Sequence, residues 1–413
     1  MKRPSKSIAL VKDGEPLPRF CDSRPLRVGG LAKELAERGH EVHWFSSTFL
    51  HQQKLTLYPR DTLTHDQSYP HHFLHSGSYS RNISPQRFLH HLRFACKLEK
   101  ELEQLPSLDA IFCCIPMLEA AFACLRVARK RKIPLVLDVR DPWPEIFRTL
   151  APPRLRSIVR LVLSPYWVLA RRLFHQADSV TAVSSGFLEW AQRLGGRTES
   201  QAHNDAVFFH GAYPPSELEY GAKAENGKFR HVFLGAFGNV YDLNFMAQVA
   251  ESMADDEGHH FLFIGEGSEL YTTTRKRLER YPHITFTGWL SRGEAYRLAR
   301  QCDLGWLPLR PGFESFMPNK PFEYASLGLS PVYPGGSDFG RLMEIREIGI
   351  AYQPGEPEEL VRRLRSLSRA NLKDWSKRVL SWWEEFGDAR RCTQALASHL
   401  EAIASGGVTD QPA

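Results

Sequence analysis

A lysine and a carboxylate stand three residues apart in a segment rich in proline, aromatic and small residues. Lys320 and Glu323 lie between Pro318 and Gly328 in the run Pro-Asn-Lys-Pro-Phe-Glu-Tyr-Ala-Ser-Leu-Gly. The prolines suit the start of a helix, where anions collect, and the spacing places Lys320 and Glu323 on nearly the same helical face. A phosphate could therefore contact Lys320 while ribose hydroxyls contact Glu323. A solvated ion pair on a helix that precedes a buried strand is the alternative interpretation.

Several short apolar runs of the second half end in glycine-bearing turns. The residues concerned are Gly238 and Asn239, Gly265, Gly288 and Trp289, and Gly335 and Gly336. Ligands of doubly wound sheets bind beyond the carboxyl ends of the strands, and glycine lets a ligand approach the backbone there. Any tight turn from a strand to a helix also uses glycine, so one such turn alone is weak evidence.

The first half contains a polar segment directly after an apolar run. Leu135-Val-Leu precedes Asp138-Val-Arg-Asp-Pro-Trp-Pro-Glu145, so Arg140 and Asp141 are predicted at the carboxyl edge of a sheet. In that position they could orient the hydroxyl groups of a ligand. A structural ion pair between Arg140 and Asp138 is the competing interpretation.

A glycine pair opens an amphipathic stretch near the amino terminus. Gly29 and Gly30 follow Val28 and are predicted to form a glycine loop at a helix start, which suits anion binding; a plain turn fits equally well. Clusters of histidine can bind metal, but no metal site is predicted from the histidines at 65, 71, 72 and 75.

Short apolar runs alternate with amphipathic stretches along the chain, which indicates repeated βαβ units and parallel sheets. Strands are predicted at 8–11, 42–45, 110–114, 135–138, 179–183 and 207–209, and again at 231–237, 261–265, 284–287, 304–307, 330–333 and 349–352. Helices of the first half are predicted at 28–38, 85–104, 118–132, 154–175 and 186–193. The predicted fold class is α/β with two doubly wound Rossmann-like domains, 1–213 and 229–372, joined by a turn-rich linker at 214–228 and followed by helices at 373–404.

The composition is that of a globular protein, but its charge is uneven. Of 413 residues, 42% are hydrophobic and 24% charged, and the length suits two domains. Residues 1–200 hold 30 Lys and Arg against 19 Asp and Glu, and the remainder holds 23 against 28. The basic half predicts an anionic partner such as a phospholipid surface or a lipid diphosphate, unless the basic surface has no partner. Nucleic acid is not expected as a partner, because no known motif accompanies the charge.

Cysteine spacing and hydropathy bear on the compartment. The seven cysteines lack a Cys-x-x-Cys spacing, which favours a reducing environment. The apolar run near the amino terminus is too short for a signal peptide, and no run is long enough to span a bilayer. A cytoplasmic location is predicted. The stretch 154–175 mixes arginines with apolar residues, so it could rest on the inner face of an anionic membrane or pack into the core as a basic helix.

Taken together, these segments resemble the retaining glycosyltransferases of family 4, which have the GT-B fold. The closest resemblance is to the bacterial surface-polysaccharide subgroup, which makes exopolysaccharide, O-antigen and capsule. Three segments carry it: Trp-x-Ser-Ser-x-Phe-x-His-x-x-Lys at 44–54, Asp-x-Arg-Asp-x-Trp-Pro-Glu at 138–145 and Pro-Asn-Lys-x-Phe-Glu-Tyr at 318–324. The resemblance implies that the two domains face each other across a cleft and that the last helix crosses back to the N-terminal domain.

The resemblance also implies an activity and assigns roles. It implies transfer of a hexose, with retention, from a nucleotide sugar that is UDP-linked to a glycan or lipid-linked glycan, without a cofactor and without a metal. The catalytic role would fall on Lys320, Arg140 and Asp141. Donor binding would involve Gly29, Gly30, Gly238, Asn239, Gly265, Gly288, Trp289, Lys320, Glu323, Gly335 and Gly336. The acceptor side would involve His51, Lys54 and Glu145.

The chain departs from the family pattern at two places. Many relatives carry an arginine and a lysine after the first strand of the second domain, where this chain has Asn239. Seven residues separate the paired glutamates of the family, whereas eight separate Glu314 from Glu323, so Glu314 is only a loose candidate for a sugar contact. A UDP-sugar epimerase of the same fold and a non-catalytic relative that acts as a binding partner remain as alternatives.

Overall fold

Two α/β units make up the chain. The computed structural model describes residues 4–15, 26–51, 53–65, 68–81, 84–214, 227–267 and 269–407. Unit 1 comprises Met1–Phe208 with Thr393–Ala413, and unit 2 comprises Phe209–Cys392. Most of the predicted linker, residues 215–226, lies outside the described residues. Both units contain a largely parallel sheet flanked by helices, which confirms the predicted α/β class.

Within the described part of unit 1, eight strands form one sheet in the order β10-β9-β8-β7-β1-β2-β6-β5, and β3 pairs with β4. All neighbours in the large sheet are parallel except β5 and β6. The strands are β1 (Ser7–Val11), β2 (Glu41–Ser47), β3 (Phe49–Leu50), β4 (Leu55–Thr56), β5 (Thr62–Thr64), β6 (His71–Leu74), β7 (Ala110–Ile115), β8 (Leu135–Val139), β9 (Ser179–Ala182) and β10 (Ala206–Val207). The helices are α1 (Arg27–Glu37), α2 (Pro85–Gln104), α3 (Leu118–Arg131), α4 (Glu145–Leu150), α5 (Arg156–Val162), α6 (Ser164–Gln176), α7 (Ser185–Gly195) and α8 (Glu199–Ala202), with a 3₁₀ turn at Pro153–Leu155.

In unit 2, the described strands form a parallel sheet in the order β13-β12-β11-β14-β15-β16. The strands are β11 (Phe229–Leu234), β12 (His259–Ile264), β13 (Ile284–Gly288), β14 (Leu304–Trp306), β15 (Ser330–Pro334) and β16 (Ile350–Tyr352). The helices are α9 (Leu243–Ser252), α10 (Glu269–Leu278), α11 (Arg292–Arg300), α12 (Lys320–Ser326), α13 (Asp338–Glu344), α14 (Pro357–Arg365) and α15 (Arg369–Trp382), followed by a π-helical turn at Trp383–Gly387 and the first residues of α16 (Ala389–Ala404). The chain reverses its direction of winding between β11 and β14, so the topological switch point lies there.

The last helix contributes to the core of unit 1. Helix α16 begins in unit 2 and belongs to unit 1 from Thr393 onward. Its Leu396 and Leu400 are fully buried among the side chains of β1 and α1. The guanidinium of Arg38, just after α1, donates to the carboxylate of Glu401 at 3.2 Å. Helix α15, in contrast, packs on α12 and β15 within unit 2.

Two differences between the predicted and the observed secondary structure have identifiable reasons. The single helix predicted at 154–175 is divided into α5 and α6, because Pro165 fits only in the first turn of a helix and α6 therefore starts at Ser164. The strand His71–Leu74 was missed because its histidines hide the apolar pattern. His71 is nevertheless buried, with its ring stacked at 4.3 Å on Trp44 of the neighbouring strand.

Candidate active site

Lys320 lies at the switch point of unit 2. It is the first residue of α12, and its Nζ donates to the carbonyl of Ala236, in the turn after β11, at 3.2 Å. The same atom lies 4.8 Å from the ring centre of Phe233 and 4.6 Å from that of Tyr241. Lys320 is 8% exposed, and this burial lowers its pKa from 10.5 to about 8, although the charge of Glu323 acts in the opposite direction. An anion beside Nζ would therefore favour the protonated lysine.

Two aromatic side chains fix the helix that carries Lys320. Phe322 stacks on Trp382 with ring centres 5.7 Å apart. Tyr324 accepts a hydrogen bond from the amide of Leu234 at 3.0 Å, and its ring lies so close to Gly305 that a Cβ there would come within 2.4 Å of it. Helix α12 has seven residues, so its dipole contributes little and the fixed ammonium is the main cationic feature.

The glycine turns after β11, β12 and β13 are joined through their backbones. The amide of Gly235 donates to Ile264 at 2.8 Å, and that of Gly265 donates to Gly288 at 2.8 Å. Gly265 has a φ of 122°, and a Cβ there would lie 2.3 Å from the carbonyl oxygen of Gly235. The structure thus brings the predicted Gly265 and Gly288 together with the turn that Lys320 contacts.

A cation that the sequence did not reveal reaches the same turn. Arg310, in the loop after β14, donates from Nη1 to the carbonyl of Asn239 at 3.1 Å and from its backbone amide to Val240 at 2.9 Å. Gly238 and Asn239 are exposed, and a Cβ at Gly238 would meet no atom within 4 Å. Arg310 thus places a positive charge beside the turn after β11. The family pattern has an arginine and a lysine there, which the local sequence of this chain lacks. No spacing signal links residues 239 and 310, so only the tertiary structure reveals the pairing.

The remaining donor-side residues differ in their surroundings. Trp289, directly after β13, is 66% exposed. Gly335 and Gly336 follow β15, two strands away from β11. Their amides donate to the carbonyl of Tyr352 at 2.8 Å and to the carboxylate of Glu344 at 3.4 Å, respectively. The protein itself therefore satisfies both amides.

The two glutamates of the family pattern have unlike settings. Glu323 is half-buried on α12, and its charge acts on both Lys320 and Tyr241. Glu314 is exposed, and its carboxylate accepts from the amide of Gly312 at 2.8 Å. This placement matches the interpretation of Glu314 as a loop acid.

In unit 1, a carboxylate occupies the start of α1. Oε1 of Glu15 accepts from the amide of Gly29 at 2.9 Å, and Oε2 accepts from Nη1 of Arg140 at 3.2 Å. Gly29 and Gly30 lie inside α1, so the predicted glycine loop is wrong. The helix extends through them because Glu15 satisfies the amide groups that open a helix. The donor role of the two glycines stays a prediction.

The predicted alternative of an Arg140–Asp138 ion pair is also wrong. Asp138 lies inside β8 and is fully buried, and its oxygens accept from Nε of Arg27 at 3.0 Å, Nη2 of Arg27 at 2.8 Å and Oγ1 of Thr181 at 2.8 Å. Burial alone would raise the pKa of Asp138, but the charge and hydrogen bonds of Arg27 lower it below its ordinary value. Asp141 lies beyond the strand, and burial raises its pKa.

The predicted acceptor-side residues His51 and Lys54 lie in a cationic and aromatic cluster. Nδ1 of His51 lies 2.8 Å from the hydroxyl of Tyr79, and Nζ of Lys54 lies 4.7 Å from the ring centre of Tyr79. Arg87 stacks on Trp143 at 4.8 Å. Burial and the charges of Arg87 and Lys54 lower the pKa of His51 to about 4, so its imidazole is neutral at pH 7. Lys54 has a φ of 54°, an uncommon conformation outside glycine that often marks functional positions.

Glu145, the third predicted acceptor-side residue, begins α4 and pairs with Arg148 of the same helix at 2.5 Å.

Across the described ranges, no group of three or more His, Cys, Asp or Glu side chains is arranged to hold a metal ion. Nor does any helix in these ranges have the length and hydropathy to cross a membrane.

Two family models match the chain in succession. Residues 27–201 match "Glycosyltransferase Family 4", and residues 228–370 match "Glycosyl transferases group 1". No curated protein matches the sequence significantly.

Solved structures share the fold at low sequence identity. An α,α-trehalose 6-phosphate synthase from Burkholderia multivorans is 16% identical, with a TM-score of 0.70 over 98% of this chain and 100% of that one. Anabaena HepE in complex with UDP is 16% identical, with a TM-score of 0.61 over 96% and 99%. WaaG, a glycosyltransferase involved in lipopolysaccharide biosynthesis, is 11% identical, with a TM-score of 0.64 over 95% and 99%. The structural likeness confirms the GT-B fold, and the two sequence matches place the chain among the glycosyltransferases, with a family 4 domain in its first half and a group 1 domain in its second.

Proposed function

We propose that the enzyme transfers a sugar, with retention of configuration, from a UDP-linked donor to a glycan or lipid-linked glycan in surface polysaccharide biosynthesis. The observation that carries this proposal is the buried Lys320 at the switch point of unit 2. Its lowered pKa shows that the surroundings stabilise the ammonium poorly, and a diphosphate would supply the missing negative charge.

The named neighbours support both parts of the proposal. HepE from Anabaena has been solved with UDP and with UDP-glucose. WaaG is described as acting in lipopolysaccharide biosynthesis. A UDP-linked donor and a surface-polysaccharide acceptor are therefore the substrates we expect for this chain.

The donor side is proposed to use four side chains of unit 2. Lys320 and Arg310 would contact the diphosphate, Glu323 would accept hydrogen bonds from the ribose hydroxyls, and the exposed ring of Trp289 would stack on the base. The turns at Gly238–Asn239, Gly265 and Gly288 would let the nucleotide approach the backbone closely. Gly335 and Gly336 would contact the donor through atoms other than their amide hydrogens, which already have partners.

The reaction needs a stabilised leaving group more than a protein nucleophile. The bond between the anomeric carbon and the phosphate oxygen breaks, and the acceptor oxygen bonds to that carbon on the same face. The departing phosphate oxygen accepts the proton of the acceptor hydroxyl. Lys320 would stabilise the negative charge on the diphosphate as it leaves, a role in which a fixed and partly desolvated cation is effective.

The acceptor side is proposed to use residues of unit 1. Arg140 and Asp141 follow β8 at its carboxyl end, where they would orient the acceptor or the transferred sugar. His51, neutral at pH 7, and Lys54 would bind the acceptor, together with Glu145. A peripheral position at the inner face of a membrane would bring the enzyme to a lipid-linked acceptor.

Calorimetric titration with nucleotides tests the donor assignment. We expect UDP and UDP-glucose to bind, and we expect 2′-deoxy-UDP to bind roughly tenfold to a hundredfold more weakly, because a hydrogen bond from ribose to a charged group contributes about 1.5–3 kcal/mol. Glu323→Gln should remove most of that preference for ribose. Glu314→Gln, in an exposed loop of the same unit, is the matched control and should retain it.

Lack of binding by any UDP or GDP sugar would contradict the proposal. Conversion of a UDP-sugar to its epimer in the absence of an acceptor would show instead that the protein is a UDP-sugar epimerase. Transfer of labelled sugar from the bound donor to a glycan or lipid fraction of a membrane extract is the result that the proposal predicts.

A further inference from the structure

One helical segment of unit 1 contributes nothing to a core. None of the residues from Glu145 to Leu169 is buried, although α4, α5 and the first half of α6 fall within this range. Helix α5 has seven residues, and a helix of that length is unstable in water unless a packed face supports it. The segment therefore lacks the packing that normally maintains a short helix.

The exposed face of this segment is apolar. Half of the large hydrophobic side chains that are exposed in the described structure belong to it: Leu150, Leu155, Ile158, Leu161, Val162 and Val168. Ile158, Leu161 and Val162 follow the spacing i, i+3, i+4, so they share one face of α5. Leu161 is 74% exposed and Val162 is 68% exposed. A soluble surface rarely concentrates so many apolar side chains unless something covers them.

The charge of the same segment has one sign. Residues 146–177 contain six arginines and no aspartate or glutamate. Among the described residues, Arg148 pairs with Glu145, whereas no ion pair joins Arg154, Arg156, Arg160, Arg171 or Arg172 to a carboxylate. An apolar helical face flanked by arginines is the arrangement of helices that lie in a membrane interface.

We propose that residues 150–168 form a docking surface for an anionic phospholipid bilayer. The side chains of Ile158, Leu161 and Val162 enter the boundary between head groups and acyl chains, and Arg154, Arg156 and Arg160 contact lipid phosphates. Charge complementarity favours this partner over a second copy of the chain, because two copies of this segment would bring like charges together.

The surface deepens the proposed function by specifying how the enzyme reaches a lipid-linked acceptor. The docking surface rests on the proposed transferase function only for its biological purpose, because the protein would bind lipid without a nucleotide sugar. Phe88 of α2 contacts Tyr166 of α6 with ring centres 5.4 Å apart. Leu92, 53% exposed, lies one turn from Phe88 on α2, so the apolar face continues onto that helix.

Vesicle flotation tests the docking surface on the full chain. Vesicles of phosphatidylcholine containing phosphatidylglycerol should bind the protein, vesicles of phosphatidylcholine alone should bind it poorly, and added salt should weaken the binding. Leu161→Asp with Val162→Asp should lower the partition coefficient at least about tenfold. Arg156→Gln with Arg160→Gln should lower it by roughly fivefold for each charge removed.

Ile345→Asp is the matched control, because Ile345 is 79% exposed in unit 2, outside the segment. It should bind vesicles as the unchanged protein does. Thermal unfolding and UDP titration of each variant separate lipid binding from folding and from the donor site. Equal binding by the Leu161→Asp, Val162→Asp protein would overturn the proposal. The proposal would also be overturned if the unchanged protein did not bind vesicles but self-associated in the ultracentrifuge, and if the Leu161→Asp, Val162→Asp changes abolished that self-association.

Discussion

The carboxyl edges of the two sheets hold their charged groups differently. In unit 1 four of the charged groups are paired: Asp138 with Arg27, and Glu15 with Arg140 and the start of α1. Burial raises the pKa of the neighbouring Asp141. In unit 2 the ammonium of Lys320 has a backbone carbonyl and two aromatic rings as its near neighbours, with Glu323 acting on it through charge.

The directions of the pKa shifts express this difference. Burial would raise the pKa of Asp138, but Arg27 outweighs burial and lowers it, as expected for a satisfied ion pair. Burial lowers the pKa of Lys320 to about 8, and Glu323 does not compensate. A satisfied ion pair stabilises the fold, whereas a buried ammonium whose pKa is lowered by burial is stabilised when an anionic ligand binds beside it. The Asp138–Arg27 pair of unit 1 is thus expected to stabilise the fold, whereas Lys320 of unit 2 is the group proposed to bind an anionic ligand.

The largest effect is expected from breaking the buried pair of unit 1. Arg27→Ala leaves Asp138 buried without its partner, which should lower the free energy of unfolding by about 3–5 kcal/mol. Urea denaturation measures this loss. Lys33→Ala, on the exposed face of the same helix, should change it by less than about 0.5 kcal/mol. An Arg27→Ala protein as stable as the unchanged chain would show that the pair has no structural role.

Substitution of Lys320 in unit 2 is expected to have a smaller effect, which falls on UDP affinity instead of stability. Lys320→Met should weaken UDP binding by roughly tenfold to a hundredfold, because it removes a charge-assisted hydrogen bond of about 1.5–3 kcal/mol. It should leave the stability unchanged or raise it, because a poorly solvated charge is removed. Calorimetry and urea denaturation measure the two quantities. Lys276→Met, at an exposed position of α10, is the control. A loss of stability comparable to that of Arg27→Ala would erase the contrast between the two edges.

The smallest effect is expected from Arg310. Its side chain is exposed, so Arg310→Gln should weaken UDP binding by up to about fivefold at low salt and less at high salt. Calorimetry at two ionic strengths measures the difference. Arg297→Gln, on the exposed surface of α11, provides the comparison. A salt-independent loss would indicate that Arg310 orders the turn at Asn239 instead of contacting the diphosphate.

Local sequence patterns are enough to predict several features of the two units. Short apolar runs predict the strands, and the spacing of Lys320 and Glu323 predicts that both belong to one helical turn. The prediction fails where partners are distant: Arg27 and Asp138 are 111 residues apart, and Arg310 meets Asn239 through a loop 71 residues further along. Neither pair leaves a local signal in a single sequence.

Glu15 shows a second kind of limit. The glycine pair at 29–30 is predicted to form a loop at a helix start suited to an anion, whereas the pair lies inside α1 and a carboxylate of the protein itself accepts from the amide of Gly29. Local chemistry predicted the kind of group that binds there. Only the path of the chain determines whether the protein or a ligand supplies it.

The pH dependence of UDP affinity shows whether Lys320 is the cation that binds the diphosphate. The unfolded lysine holds its proton to pH 10.5, whereas the folded Lys320 loses it near pH 8. Between these values the unfolded state binds more protons at this side chain, so Lys320 contributes a rise in the stability of unit 2 with pH in that range. UDP favours the protonated side chain, so the affinity should change little between about pH 7, where the terminal phosphate of UDP (second pKa about 6) is mostly ionised, and the folded pKa of Lys320, and it should fall as the pH rises above about 8. In Lys320→Met the fall in affinity above pH 8 and the contribution of Lys320 to the stability should both disappear. An affinity that falls equally in the Lys320→Met protein would contradict the assignment of Lys320 as the cation that binds the diphosphate.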